Sequence, residues 1–181
     1  MKFSQRGPRR LGALTAAGIA AVCMTALSGA PATAASGPQW ISSGAFSGYV
    51  LCASPNTEFV YMAPTSAATG NTYCQWLQFG PNTQFTLYNL GKNQVMAYTD
   101  GNEGLVVMEN NGTSKNPNKE LWSWGGQEGW GAAALQSFYD SGQNVDAKAP
   151  AGDYPRTDPV RTRGWRHGHQ RELTWNEVTP S

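Results

Sequence analysis

One three-residue phrase occurs three times in this chain, and its spacing constrains the fold more than any other feature. A hydrophobic residue, a variable residue and an alanine recur as Leu51-Cys52-Ala53, Val95-Met96-Ala97 and Val145-Asp146-Ala147. A glycine turn precedes each one, at Ser47-Gly48, Leu90-Gly91 and Ser141-Gly142. A Gln or Glu follows 22, 23 and 25 residues after the alanine and opens a second phrase: Gln75-Trp76-Leu77, Glu120-Leu121-Trp122 and Glu172-Leu173-Thr174. The alanines stand 44 and 50 residues apart. Self-similarity at such a period marks a supersecondary unit that cannot bury its apolar face alone and must share a core with its copies. A small alanine suits a crowded place in that core, and the bulky residues around it would fill the rest.

Between the phrases, short β-prone runs alternate with Gly, Pro, Asn and Ser. Tyr49-Val50-Leu51, Phe59-Val60-Tyr61-Met62, Phe85-Thr86-Leu87-Tyr88 and Leu173-Thr174-Trp175 are examples. Aromatic and β-branched runs broken by turn residues predict an all-β chain. Apolar residues nowhere keep the i, i+3, i+4, i+7 spacing long enough for a substantial helix. Four runs in each of three units predict about twelve short strands. That is too many for one small open sheet, and closing a barrel removes the exposed edges.

Residues 1–34 are set apart as a secretory signal peptide. Arg6, Arg9 and Arg10 form a basic start, Leu11 to Leu27 is an apolar, alanine-rich stretch, and Ala32-Thr33-Ala34 is an A-x-A cleavage site. The apolar stretch is short of the roughly 20 residues needed for a membrane span, so no membrane insertion is expected after cleavage. Arg9-Arg10 leaves twin-arginine export open beside the general route, and the anatomy of the leader predicts a bacterial, extracellular protein. Removing the leader takes away Lys2 and three arginines of the 13 basic residues, leaving nine against 12 acidic ones and a formal charge of −3. That charge excludes nucleic acid as a partner, since phosphate affinity needs a basic footprint. Two cysteines remain, Cys52 and Cys74. An even count in an exported chain predicts a disulfide, worth ~3 kcal/mol by loop entropy.

With the repeats in hand, the sequence resembles the ricin-B-type β-trefoil lectins. The second phrases look like degenerate copies of that family's Q-x-W motif. Ser141-Gly142-Gln143-Asn144-Val145-Asp146-Ala147 resembles its S-G-x-x-L-D-V strand, and Thr157-Asp158-Pro159-Val160-Arg161-Thr162 resembles its G-T-P-V-x-L strand. Gln170-Arg171-Glu172-Leu173-Thr174 stands where N-Q-x-W would be. The resemblance implies an all-β β-trefoil with pseudo-threefold symmetry, one domain over 35–181 with repeats at approximately 40–80, 81–126 and 127–181. It also implies a shallow sugar pocket in each repeat, where an Asp accepts hydroxyl hydrogen bonds, an aromatic ring stacks on the sugar and an Asn adds a contact. Here the Asp position reads Cys52, Met96 and Asp146; the aromatic position reads Met62, Met108 and Arg163; the Asn position reads Cys74, Lys119 and Arg171.

These substitutions predict at most one working site, in the third repeat, with Asp146, Arg163, Trp165 and Glu172 as the ligand-binding residues. Two expectations stand for it. Asp146 pairs with an arginine as a structural contact, or Arg161, Arg163, Arg166 and Arg171 with Trp165 form a cationic patch for an anionic glycan or surface polymer, which forked guanidinium groups bind well. No catalytic residue, metal ligand or cofactor is assigned. His167 and His169 read as a solvated glycine turn rather than a zinc site, the G-x-S-x-G nucleophile motif is missing, and both mature cysteines are expected to be oxidised. The expected function is therefore non-enzymatic carbohydrate binding. The alternatives are a protein-binding trefoil, such as a protease inhibitor working through Pro64 to Thr72 or Asn110 to Lys119, and a structural surface protein.

Overall fold

The computed structural model describes residues 37–127, 129–148 and 158–181. The expected leader with its cleavage site, Cys23, Arg156 and Thr157 lie outside the described residues. Twelve strands run through the described residues: β1 (Trp40–Ser43), β2 (Tyr49–Ala53), β3 (Val60–Pro64), β4 (Trp76–Phe79), β5 (Thr86–Asn89), β6 (Gln94–Tyr98), β7 (Val106–Glu109), β8 (Trp122–Gly125), β9 (Ala133–Ser137), β10 (Asn144–Asp146), β11 (Arg161–Arg163) and β12 (Thr174–Val178). The fold is an all-β trefoil, with the three units that the repeats predict and the architecture that the resemblance implies. Among the described residues one short α-helix, α1 (Thr65–Ala68), follows β3.

The first and fourth strands of each set of four close a six-stranded barrel. Ladders join β1 to β12, β12 to β9, β9 to β8, and β5 to β4. Two reciprocal pairs of backbone hydrogen bonds complete the ring, Gln39 with Trp76 and Phe85 with Trp122. The remaining strands form hairpins, β2–β3, β6–β7 and β10–β11, that cap one end. Their equivalent residues Val60, Val106 and Val160 meet there, with the Val160 N–H donating to the Val60 carbonyl at 2.8 Å and the Val106 N–H to that of Val160 at 3.1 Å. These backbone bonds satisfy groups that closure would otherwise strand without water.

Three tryptophans fix the true register of the repeats. The indole N–H of Trp76 donates to the Leu51 carbonyl at 2.9 Å, that of Trp122 to Met96 at 2.9 Å, and that of Trp175 to Val145 at 3.0 Å. All three rings are buried. In the ladders, Leu51, Met96 and Val145 lie opposite Met62, Met108 and Thr162. The second copy of the phrase is therefore Met96-Ala97-Tyr98, one residue on from Val95-Met96-Ala97. Likewise the tryptophan position is filled in every repeat, by Trp76, Trp122 and Trp175, and not by Leu77 or Thr174. The physical reason is burial. The residue that turns into the barrel core must be large, and Met96 does so with Leu51 and Val145, whereas Val95 lies outside that core cluster.

The corrected register also shows what stands two residues before each tryptophan: Cys74, Glu120 and Leu173, all buried. Each holds its loop in a different way. Cys74 is joined to Cys52 by the expected disulfide. The Glu120 carboxylate accepts the N–H groups of Gly112 (2.9 Å) and Ser114 (3.1 Å). Leu173 packs on Trp130 and Ala134.

Candidate ligand site in the third repeat

The middle residue of the phrase is the one that turns away from the barrel core. In the corrected register it is Cys52, Ala97 or Asp146. Cys52 is committed to its disulfide and Ala97 has no polar atom to offer, which leaves Asp146. Its strand β10 pairs with β11 so that Asn144 faces Arg163 and Asp146 faces Arg161. The Asp146 side chain is 3 % exposed and its Oδ2 accepts from the Arg163 guanidinium at 2.9 Å. Its Oδ1 is buried and has no hydrogen-bond partner, and neither has the Nε of Arg163.

Arg163 reaches outward as well as inward. Its Nη1 lies 3.6 Å from a Glu172 oxygen, with the arginine side chain 19 % and the glutamate 30 % exposed. Glu172 sits on the 3₁₀ turn Gln170–Leu173. His169 Nδ1 lies 3.1 and 3.2 Å from its two oxygens. Four side chains thus form a file from the interior to the surface, Asp146, Arg163, Glu172 and His169. The histidine, expected in a solvated turn, is its outermost member.

Three of the four residues expected from sequence come together here, and Trp165 does not. Its half-exposed ring meets His167 edge-on with centroids 6.3 Å apart. The arginines do not converge either. Arg161 donates to the Glu103 carbonyl, Arg171 to that of Gly44, and Arg163 is held between two carboxylates. Three of the four arginines of the expected cationic patch, Arg161, Arg163 and Arg171, are therefore dispersed, each guanidinium finding its own acceptor. Among the described residues, no three His, Cys, Asp or Glu side chains gather closely enough to hold a metal ion.

Burial holds the Asp146 carboxyl above its ordinary value. Arg163 opposes that shift, and Glu172 adds to it. As pH rises through the ordinary carboxylate range, the unfolded chain loses this proton first, so the folded state binds more protons and stability falls. An asparagine does not titrate. Asp146→Asn should therefore gain on the parent in thermal midpoint as the pH is raised from about 3.5 to about 7. Melting curves of both proteins across that range check this; parallel curves would show that the carboxylate feels no burial.

The other two repeats show what sequence reasoning missed. At the place of Arg163 stand Ala63 and Glu109, and at that of Glu172, three residues before the tryptophan, stand Tyr73 and Lys119. Met62 and Met108, read as aromatic-position residues, belong instead to the core. Glu109 becomes visible only once the second phrase is shifted by one residue.

No family model matches the sequence, and no curated protein matches it. Solved structures do. A mosquitocidal holotoxin matches with a TM-score of 0.63 at 13 % identity, over 80 % of this chain and 16 % of the toxin. ThreeFoil, a designed threefold-symmetric protein, matches with a TM-score of 0.60 at 14 % identity, over 80 % of this chain and 99 % of its own. The Polyporus squamosus lectin bound to the human-type influenza-binding epitope Neu5Acα2-6Galβ1-4GlcNAc matches with a TM-score of 0.57 at 14 % identity, over 78 % of this chain and 48 % of the lectin. At these identities the likeness is one of fold.

Proposed function

We propose that this chain is a secreted, non-enzymatic carbohydrate-binding protein of the ricin-B-type trefoil kind, acting through its third repeat. The observation that carries the reading is Asp146. A carboxylate buried behind a guanidinium, with one oxygen left without a partner, is expensive to keep unless something supplies the missing hydrogen bond. A sugar hydroxyl can do so, because it donates to the Asp146 oxygen and accepts from an arginine N–H at once. Glu172, farther out, would take a neighbouring hydroxyl. The solved lectin of like fold with a glycan bound supports the reading by analogy of fold, and fold alone does not fix a ligand.

The residues also bear on which glycan. Asp146 and Glu172 outnumber Arg163 in the file, and Arg161 and Arg171 are engaged elsewhere. Neutral hydroxyl-rich sugars therefore suit the site better than the uronic, sulfated or sialylated ones that the arginine count alone suggests. An array carrying both classes tests this. The expected result is binding to neutral glycans that falls at least tenfold, about 1.4 kcal/mol, on Asp146→Asn and also on Arg163→Ala. Binding that survives both substitutions removes the third repeat from the reading. Silence across the array together with inhibition of a secreted protease would establish the protein-binding alternative, for which the loop tied to Glu120 through Gly112 and Ser114 is the best-anchored candidate.

A further inference from the structure

The end of the barrel away from the hairpins is lined by three unlike residues. Trp76, Trp122 and Trp175 bond to the hairpin strands, and two residues farther along β4, β8 and β12 stand Gln78, Trp124 and Glu177. Their ladder partners are Leu87, Leu135 and Ile41, all in the barrel core. Directly opposed residues share a face of the sheet, so the three positions are equivalent and turn into the barrel mouth. Two of them satisfy each other. The Trp124 indole N–H donates to Gln78 Oε1 at 2.8 Å, and Gln78 Nε2 donates in turn to Asn82 Oδ1 at 2.9 Å. Glu177 is different: a carboxylate stands at the inward position, and among the described residues none pairs with it.

The mouth is also unevenly filled. In the second repeat Phe85 stands across from Trp122 and packs on Trp124 with ring centroids 5.5 Å apart. Across from Trp175 the equivalent residue is Ala133. Its short side chain leaves a pocket of about 300 Å³ lined by Asn82, Trp124, Ala133, Trp175, Asn176 and Glu177. That volume is at the lower end of the ~300–1,000 Å³ of small-molecule sites.

We propose that this pocket binds a quaternary ammonium head group, with Trp124 as the aromatic wall and Glu177 as the counter-charge. Three observations lead there. The lining holds one acid and no base; Arg171 lines an adjoining cleft and gives its N–H to the Gly44 carbonyl. The Trp124 N–H is spent on Gln78, so the ring offers the pocket its π electrons, and indole attracts a cation more strongly than the other side-chain rings. A methylated ammonium brings apolar surface to Trp124 and Ala133, whereas a primary one has three N–H groups to satisfy and finds Asn82 Oδ1 already taken. Desolvation by the surrounding protein raises the Glu177 carboxyl above its ordinary value, as befits an acid without a counter-charge. The pocket shares no residue with the file around Asp146, so the two sites stand or fall separately.

Calorimetric titration of the whole protein tests the assignment with choline, ethanolamine and the neutral analogue of choline that carries a tert-butyl group in place of the trimethylammonium. The expected order places choline at least tenfold above both others. Glu177→Gln, which keeps the side-chain shape at an exposed position, should remove the preference over the neutral analogue. Ala133→Phe, which fills the pocket as Phe85 does in the second repeat, should abolish choline binding, and melting curves show whether each variant is folded. Silence with choline, equal affinity for the neutral analogue, or a preference that persists in Glu177→Gln overturns the site. Ethanolamine binding as tightly as choline overturns the quaternary head group, and undiminished binding by folded Ala133→Phe protein overturns the pocket. Co-sedimentation with phosphatidylcholine vesicles, and not with phosphatidylglycerol ones, identifies the head group as lipid-borne; choline binding without it identifies a soluble cation.

Discussion

Replacing Trp122 by alanine is expected to lower the stability of the domain by about 4–8 kcal/mol, a large part of what holds it folded. The ring is fully buried in the barrel, and removing a buried aromatic costs about 3–5 kcal/mol through lost transfer energy and the cavity left behind. The same change strips the Met96 carbonyl of the indole N–H that it accepts at 2.9 Å, for another ~1–3 kcal/mol if no water replaces it. Together these approach the roughly 5–15 kcal/mol by which a domain is stable at all. Trp122→Phe largely separates the two effects, since it loses the donor while keeping much of the apolar volume; a loss of ~1–3 kcal/mol from the missing bond is expected in urea unfolding. Trp76 and Trp175 hold the equivalent bonds, so their phenylalanine variants should fall in the same range. A Trp122→Phe protein as stable as the parent would show that these hydrogen bonds follow the fold without holding it.

Joint replacement of Cys52 and Cys74 by alanine should lower stability by about 3 kcal/mol, the loop-entropy value for closing a segment of this length; the two cysteines lie 22 residues apart. Neither sulfur is accessible in the folded state, so a reductant should act only on molecules that have opened. The thermal midpoint of the parent should therefore fall when the protein is melted in dithiothreitol, while that of the double variant should not move. An unchanged parent under fully reducing conditions, with free thiols demonstrated, would assign the link no part in stability. The bond also bears on the candidate site. It ties up Cys52, which occupies in the first repeat the place that Asp146 holds in the third, so this repeat has a covalent staple where the third has a buried carboxylate paired with Arg163.

Much of the architecture was legible because repetition is a strong signal even when each copy is poor. Turn glycines, short aromatic runs and a recurring phrase were enough to predict three units and about twelve strands. The register was harder. Aligning Ala97 with Ala53 and Ala147 matches residue names, whereas the barrel matches volumes. Tyr98 fills the third alanine's place, with its hydroxyl led out to the Gly101 carbonyl, and no sequence pattern announces that exchange.

The candidate site divides in the same way. Asp146, Arg163 and Glu172 were recognisable because they lie on or beside motifs with a fixed place in the repeat. Trp165 stands apart, with its ring against His167, because the Arg163–His169 segment between strand and 3₁₀ turn follows no pattern of its own. Nor could a count of arginines reveal that Arg161, Arg163 and Arg171 each find a different acceptor. Glu109 was hidden by the one-residue error, which put Met108 in its place.

The ladder between β1 and β12 pairs Trp40 with Val178 and Ser43 with Trp175, so the barrel's last seam is made from the two extremes of the described chain. During synthesis, β1 emerges first of the described strands and waits for β12, the last of them. Until Thr174–Val178 are available, β1 and β9 each have an edge without its neighbour, and the shared core around Trp175 is missing one of its three indoles. Contacts this distant in sequence make for slow closure. A nascent chain of this design therefore keeps its barrel open until Thr174–Val178 have emerged, and closes the β1–β12 seam only then.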